Sequence, residues 1–317
     1  MDNSLTNYGE TFKRIRRQKG FSIEALSEAS AVSVSTIKRL ESGKYEPQLF
    51  NLRRLLSTLG ATLEDLFQLM HGVDIEMFNA DFARIFDAGF KRDVQKMSEL
   101  FDELKTKPYC NPQIPFIKQA LLLIEANIST KNNSNYNAHL ALYYEALSIT
   151  MPSKIFNDSS ELIYEDIVRY KLSMNEYRIL KGISNSYSRL GDIQKAINTY
   201  EMILLSLESD NANYEIKKKQ LPTTYFNLSN LLLDDRQCVK ALEIIDKGID
   251  FCLSTAELKV ISHLRWNKGR ALFYLGETKL ATDFFQTAYS QCKDVEDESM
   301  LSTLRKSAET EYFILLQ

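Results

Sequence analysis

The stretch that most restricts what this chain can fold into is residues 22–46, SIEALSEASAVSVSTIKRLESGKYE. Its apolar residues fall at the spacings two short crossed helices need: Ile23, Leu26 and Ala29 on one face of the first, Ile37 and Leu40 on one face of the second. Val32, in the turn, can plug the gap between them. Ser22 stands where it can cap the first helix, and Ser33 or Ser35 where it can cap the second. Upstream, residues 8–19 read as a helix with Phe12 and Ile15 on its buried face, stopped by Gly20. Downstream, Pro47 breaks the chain before a helix over 49–59 that carries Leu52, Leu55, Leu56 and Leu59. Gly60 stops that one, and Thr62 opens a short fifth helix through Met70 with Leu63, Leu66, Phe67 and Leu69. A compact five-helix bundle is the expectation.

The second helix of the central pair turns a different set outward: Val34, Ser35, Thr36, Lys38 and Arg39. Small, hydroxylic and cationic side chains on one helix face suit the major groove of DNA. The fixed positions Arg16, Gly20 with Ser22, Leu26-Ser27, Ala31-Val32-Ser33, then Ile37, Leu40, Glu41, Gly43 and Pro47 resemble the Cro/lambda-repressor-like helix-turn-helix family. There are departures: Ile23 replaces a usual Gln that contacts phosphate, Ser27 a usual Ala, and Ala31 a usual turn Gly. The resemblance implies that Arg16 and Glu41 form a structural ion pair. It also implies that Val34, Ser35 and Arg39 read bases, with Thr36 and Lys38 at the groove edge. Arg39 is the foremost specificity residue, because a guanidinium can bond guanine O6 and N7 together. Arg14, Arg17 and Lys44 are expected on phosphates, which position a protein without reading sequence.

Residues 71–76 read as a connector, which predicts a DNA-binding domain over 1–72 and a second domain over 73–317. The second is helical throughout and carries an internal repeat. RLGDIQKAINTYEMIL has Ala196 and Tyr200, DDRQCVKALEIIDKGI has Ala241 and Ile245, and YLGETKLATDFFQTAY has Ala281, Phe285 and Ala288. A small residue lets two helices approach, and a large one four positions on fills the neighbouring groove. This resembles the tetratricopeptide pattern, although the Ala-to-Ala spacings of 45 and 40 exceed that family's 34. Segments 94–104 and 140–147 fit more loosely. The fold expected is all-α: the helix-turn-helix bundle, then a right-handed superhelix of about five such hairpins over 75–294, closed by a helix over 296–316.

In a tetratricopeptide array the first helix of each pair lines a concave face. Alignment on the small residues puts Asn185 and Arg189, Asn227 and Asn230, and Asn267 and Arg270 there. A carboxamide both donates and accepts, so a row of them can hold an extended peptide backbone independently of its side chains. Tyr187, Phe226 and Trp266 lie nearby, with core packing as their expected job. The two domains together resemble the peptide-pheromone-responsive regulators of Gram-positive bacteria, the PlcR/PrgX/Rgg group. Segments 183–187, 226–235 and 265–275 are most similar to its PlcR branch. That resemblance implies a homodimer that binds a palindromic DNA operator and a short signalling peptide.

Composition sets outer bounds. Residues 1–70 carry ten Lys/Arg against eight Asp/Glu and the remainder 29 against 34, so the basic side of the chain is its N-terminal part. Cys110, Cys238, Cys252 and Cys292 have no metal-ligand spacing, and His71, His139 and His263 are scattered. No phosphate-binding glycine loop, nucleophile elbow or zinc-protease motif is present, so neither enzyme nor cofactor is expected. The polar N-terminus, and the absence of the ~18 continuous apolar residues a membrane span needs, predict a cytoplasmic protein without a membrane partner. The residues leave three other readings open. The helical domain could serve only dimerisation or protein contact, the helix-turn-helix could have lost DNA binding, or the chain could be a phosphatase-binding or phosphatase-like member of the wider peptide-responsive group.

Overall fold

A computed structural model of the protein describes residues 3–44, 48–61, 65–66, 74–91, 93–132, 135–157, 162–209, 214–294, 298–312 and 314. Among them are sixteen α-helices and no strand, with one isolated β-bridge between Phe156 and Leu162. The chain packs as two compact units, Met1–Lys118 and Gln119–Gln317.

The first unit opens with α1 (Asn3–Gln18), α2 (Ile23–Ser30), α3 (Val34–Glu41) and α4 (Leu49–Thr58). Ser22 caps α2 by accepting from the Ala25 N–H at 2.9 Å, and Ser33 caps α3 by accepting from Thr36 at 3.2 Å. Gly20 and Gly60 turn the chain with φ of 75° and 60°, a conformation other residues rarely adopt. Ala31 ends α2 with φ 51°, a left-handed position where a side chain costs energy. Phe12, Ile15, Leu26, Val32, Ile37, Leu40, Leu52, Leu55, Leu56 and Leu59 form one core, joined by Leu66. The expected fifth helix lies outside the described residues apart from Asp65 and Leu66, and Pro47 and the connector at 71–73 also lie outside them.

One expectation in this bundle fails. Ala29 is exposed and Ser30 is buried in its place. Positions 23, 26 and 30 keep the helical phase, and the Ser30 hydroxyl is satisfied there. It donates to the Leu26 carbonyl at 2.6 Å and accepts from the Val32 N–H at 3.3 Å. A buried hydroxyl with both roles filled costs little.

The first unit continues with α5 (Ile75–Phe90) and α6 (Val94–Lys105), packed as a hairpin. Helix α7 (Pro115–Asn132) begins in the first unit and ends in the second. Within the second unit come α8 (Tyr136–Ser148), a short α9 (Tyr164–Ile167), then three regular hairpins. These pair α10 (Met174–Arg189) with α11 (Ile193–Glu208), α12 (Tyr214–Asp234) with α13 (Cys238–Thr255), and α14 (Ile261–Tyr274) with α15 (Thr278–Asp294). Helix α16 (Glu298–Glu311) closes the row. The repeat residues do the packing: Ala196, Tyr200, Ala241, Ile245, Ala281, Phe285 and Ala288 are all 0% exposed. Gly182, Gly248 and Gly269 let the rings of Tyr143, Tyr225 and Phe285 lie directly against a neighbouring helix backbone. Gly191 and Gly276 make two of the three hairpin turns with φ of 86° and 88°, and Arg236 makes the third with φ 61°.

Successive first helices also touch each other, α10 with α12 and α12 with α14. That places them on the inner layer of the hairpin row.

Candidate nucleic-acid interface and helical groove

The outward face of α3 is held by the helix behind it. Arg16 of α1 donates from Nε to Glu41 Oε1 at 2.6 Å and from an Nη to Oε2 at 3.0 Å, with a third bond to the Phe21 carbonyl at 2.6 Å. Both side chains are 7% exposed. The hydrogen bond to Glu41 raises the Arg16 pKa against the pull of burial. A two-pronged pair of this kind fixes direction as well as distance, so the last turn of α3 cannot rotate on α1. Gly9 lets the two helices meet. A Cβ added there would lie 2.5 Å from the Leu40 carbonyl oxygen and 2.9 Å from that of Glu41. The ion pair is the one the family resemblance implied; the need for glycine at position 9 was missed. Its only signal is a glycine inside a run that otherwise reads as helix.

With Ile37, Leu40 and Glu41 turned inward, Ser35, Lys38 and Arg39 are left exposed on α3, and Val34 and Thr36 half-buried at its edge. The Ser35 and Thr36 hydroxyls gather at the Ser33 cap, 3.0 and 2.8 Å from its Oγ. Their geometry is therefore set by the helix start. Arg14 and Arg17 on α1 and Lys44 after α3 are all exposed. The arrangement offers a short rigid helix bearing hydroxyls and cations, with further cations on the helix beside it.

In the second unit, the polar residues expected along the groove form two linked sets. The Tyr200 hydroxyl donates to Asn185 Oδ1 at 3.3 Å and accepts from Asn227 Nδ2 at 2.9 Å, which ties α10, α11 and α12 together. Arg270 donates to Asn230 Oδ1 at 2.8 Å, to Asp234 at 3.1 Å, to the Tyr312 hydroxyl at 3.1 Å and to Asn267 Oδ1 at 3.4 Å. Arg189 is exposed on the last turn of α10 and belongs to neither set. Asn267 departs from the expected row. It is 1% exposed and its amide donates to Ser229 Oγ at 2.8 Å, so it fastens α14 to α12 and offers no free carboxamide to a groove. Tyr187 and Trp266 are buried, Trp266 against Phe285 with centroids 4.5 Å apart. Phe226 is half-buried and meets His263 edge-on at 5.2 Å.

Two cations on the same face of α10 were not singled out. Arg178 and Lys181 precede Asn185 at spacings of seven and four, which puts all three on one stripe of the helix. Lys181 Nζ donates to the Gln220 carbonyl at 3.1 Å and to Thr223 Oγ1 at 2.6 Å, both on α12. Burial, with Arg178 beside it, pushes the Lys181 pKa down to about 7.

Fold and sites together define a helix-turn-helix protein joined to a tetratricopeptide-like helical row. Residues 12–66 match the helix-turn-helix family, and residues 125–290, more than half the chain, match the RNPP family C-terminal domain. The chain belongs to the RNPP family, the peptide-responsive regulators that the sequence resembles. Solved structures share its fold over nearly the whole length. PlcR of Bacillus thuringiensis in complex with the peptide PapR7 and DNA is 20% identical, with TM-score 0.63 over 94% of this chain and 99% of that one. ComR from S. thermophilus in complex with DNA and its signalling peptide ComS is 16% identical, with TM-score 0.58 over 95% and 98%. The SHP pheromone receptor Rgg2 of Streptococcus dysgalactiae is 15% identical, with TM-score 0.52 over 96% and 99%. No curated protein sequence matches. No described helix is long and apolar enough to cross a membrane.

Proposed function

We propose that this protein is a cytoplasmic, dimeric transcriptional regulator that is not an enzyme, and whose operator binding is controlled by a short signalling peptide held along the inner face of its helical row. The observation that carries the DNA half is the α3 face, with Ser35, Lys38 and Arg39 exposed on a helix locked from behind by Arg16 and Glu41. The peptide half draws support from family membership and from the polar stripe of Asn185, Asn227, Asn230 and Arg270, with Arg189 at its end. The relatives solved with both DNA and peptide fit the same reading. The reading keeps the DNA-binding domain at 1–72 and the helical domain at 73–317.

In this reading Arg39 contacts a guanine edge, with Val34, Ser35, Thr36 and Lys38 around it, while Arg14, Arg17 and Lys44 hold phosphates. Two copies place their α3 helices in major grooves about one turn (~34 Å) or a multiple apart, on a palindromic site. Peptide bound along the row changes operator affinity only as far as it prefers one arrangement of the dimer. A ~100-fold effect needs about 2.7 kcal/mol of such preference. The test is fluorescence anisotropy of full-length protein on its own promoter DNA, with and without peptides encoded beside its gene. Operator affinity that responds to one peptide supports the reading, and DNA binding indifferent to every peptide refutes its regulatory half.

A second reading keeps the regulator but gives the helical row only dimerisation or protein contact. The internal use of Asn267 and Arg270 is the observation that favours it. Calorimetry with the same peptides separates the two, since only the first gives heat.

A further inference from the structure

A hydroxyl carries one hydrogen and two acceptor lone pairs, so the bonds around it can be counted. Ser33, the cap of α3, has three polar partners. The Thr36 N–H donates to its Oγ at 3.2 Å, and the hydroxyls of Ser35 and Thr36 lie 3.0 and 2.8 Å from the same atom. The N–H takes one lone pair of Ser33. If both neighbouring hydroxyls also donated, Ser33 would need a third lone pair. One of them therefore donates to Ser33, and the other accepts the single Ser33 hydrogen. Whichever way round this falls, one hydrogen of the Ser35–Thr36 pair is spent on the cap and one is left. The hydroxyl whose hydrogen is spent can only accept from outside. Among the described residues neither hydroxyl has any other partner. Ser35 is exposed and Thr36 half-buried on the helix that carries Lys38 and Arg39.

We propose that Ser33 is a positioning residue for base reading: by taking up one hydrogen of the Ser35–Thr36 pair, it requires the bases they face to offer an amino hydrogen. In the major groove only adenine, through N6, and cytosine, through N4, carry one. This rests on the reading of α3 as the helix that enters the groove, and adds a class of base edge to it. Guanine shows O6 and N7 and thymine shows O4, all of them acceptors. Against such an edge the spent hydroxyl has nothing to bond. Against adenine, whose N7 accepts and whose N6 donates, both hydroxyls are satisfied at once. In the same reading Arg39 supplies only donors and takes a guanine edge, so the two ends of α3 ask for opposite chemistry.

The experiment first selects bound sequences from random duplex DNA with full-length protein. The positions read by the pair are those whose preference is lost in Ser35→Ala and Thr36→Val. Duplexes are then made with purine for adenine, or 2-pyrimidinone for cytosine, at those positions, which deletes the amino group alone. The wild type is expected to bind them about fivefold more weakly, the worth of one hydrogen bond. Ser33→Gly removes the hydroxyl while glycine still serves as a cap. It frees both hydrogens, so its affinity should be the same with and without the amino group. A role in capping alone would weaken both duplexes alike and leave the fivefold ratio in place. Ser33→Asp accepts both hydrogens and should raise the ratio above that of wild type; it carries the test if Ser33→Gly does not fold, and a ratio no higher than wild type then refutes the proposal. Wild-type binding indifferent to the amino group, an unchanged ratio in Ser33→Gly, or no position altered by Ser35→Ala and Thr36→Val also refutes it, and leaves the DNA reading through Arg39 standing. Selection that enriches no sequence with wild type refutes both.

Discussion

The molecule withdraws a cation from solvent in each of its two units and treats them in opposite ways. Arg16 meets a carboxylate through two prongs and a backbone carbonyl through a third bond, so its charge is balanced before any ligand arrives. Lys181 meets only neutral oxygens and has another cation for a neighbour. Balanced burial holds a helix in place; unbalanced burial leaves a cost in the fold. Helix α3 therefore rests on a charge-balanced support, while the inner helix row carries a lysine held by neutral oxygens.

The strongest blow to this contrast is to unbalance Arg16. Glu41→Gln leaves a guanidinium buried without its counter-charge, which typically costs about 3–5 kcal/mol. Thermal unfolding of the variant should show the loss, and DNA binding should fall with it; an unchanged melting temperature would remove the pair from its structural role. Gly9→Ala attacks the same scaffold sterically and should cost about 1–3 kcal/mol, read in the same way, because the added methyl meets backbone. On the exposed side of α3, Arg39→Ala should lose about 1–3 kcal/mol of discrimination between operator and mutated sites. Arg17→Ala should instead weaken all DNA alike and lower the salt dependence. Anisotropy titrations at several salt concentrations distinguish the two.

For Lys181 the sign is reversed. Its folded pKa of about 7 lies below the ordinary 10.5, so between those values the unfolded chain holds more protons than the folded one. Stability should rise with pH across that window. Lys181→Met should melt higher than wild type at pH 6, and the difference should shrink by pH 10. The smallest expected effect is at Ala31, whose φ of 51° favours glycine. Ala31→Gly should stabilise by about 1 kcal/mol, measured by denaturant unfolding.

What could be read from sequence was whatever depended on spacing along one helix or across one turn. The caps at Ser22 and Ser33, the leucines of α4 and the small-then-large residues from Ala196 to Ala288 all belong to that class, whereas the Arg16–Glu41 pair, 25 residues apart, was legible only through the family resemblance. Ala29 and Ser30 show where such reading stops, since hydrophobicity favoured the alanine and helical phase, with a self-satisfied hydroxyl, favoured the serine. Asn267 shares its register with Asn185 and Asn227, but whether its carboxamide faces a groove depends on Ser229, 38 residues away. Lys181 looks like any surface lysine until α12 is laid against it. Gly9 needs the carbonyls of another helix to explain it.

The Asn185–Tyr200–Asn227 chain has a consequence for how a ligand would be recognised. The hydroxyl of Tyr200 already occupies one acceptor and one donor of those two carboxamides. Asn185 Oδ1 keeps a second lone pair and Asn227 Nδ2 a second N–H, so a peptide can bond to the same atoms with the phenol still in place. Recognition along this stretch would then depend on the path of the incoming backbone, because the Tyr200 bonds hold both carboxamides in position before it arrives.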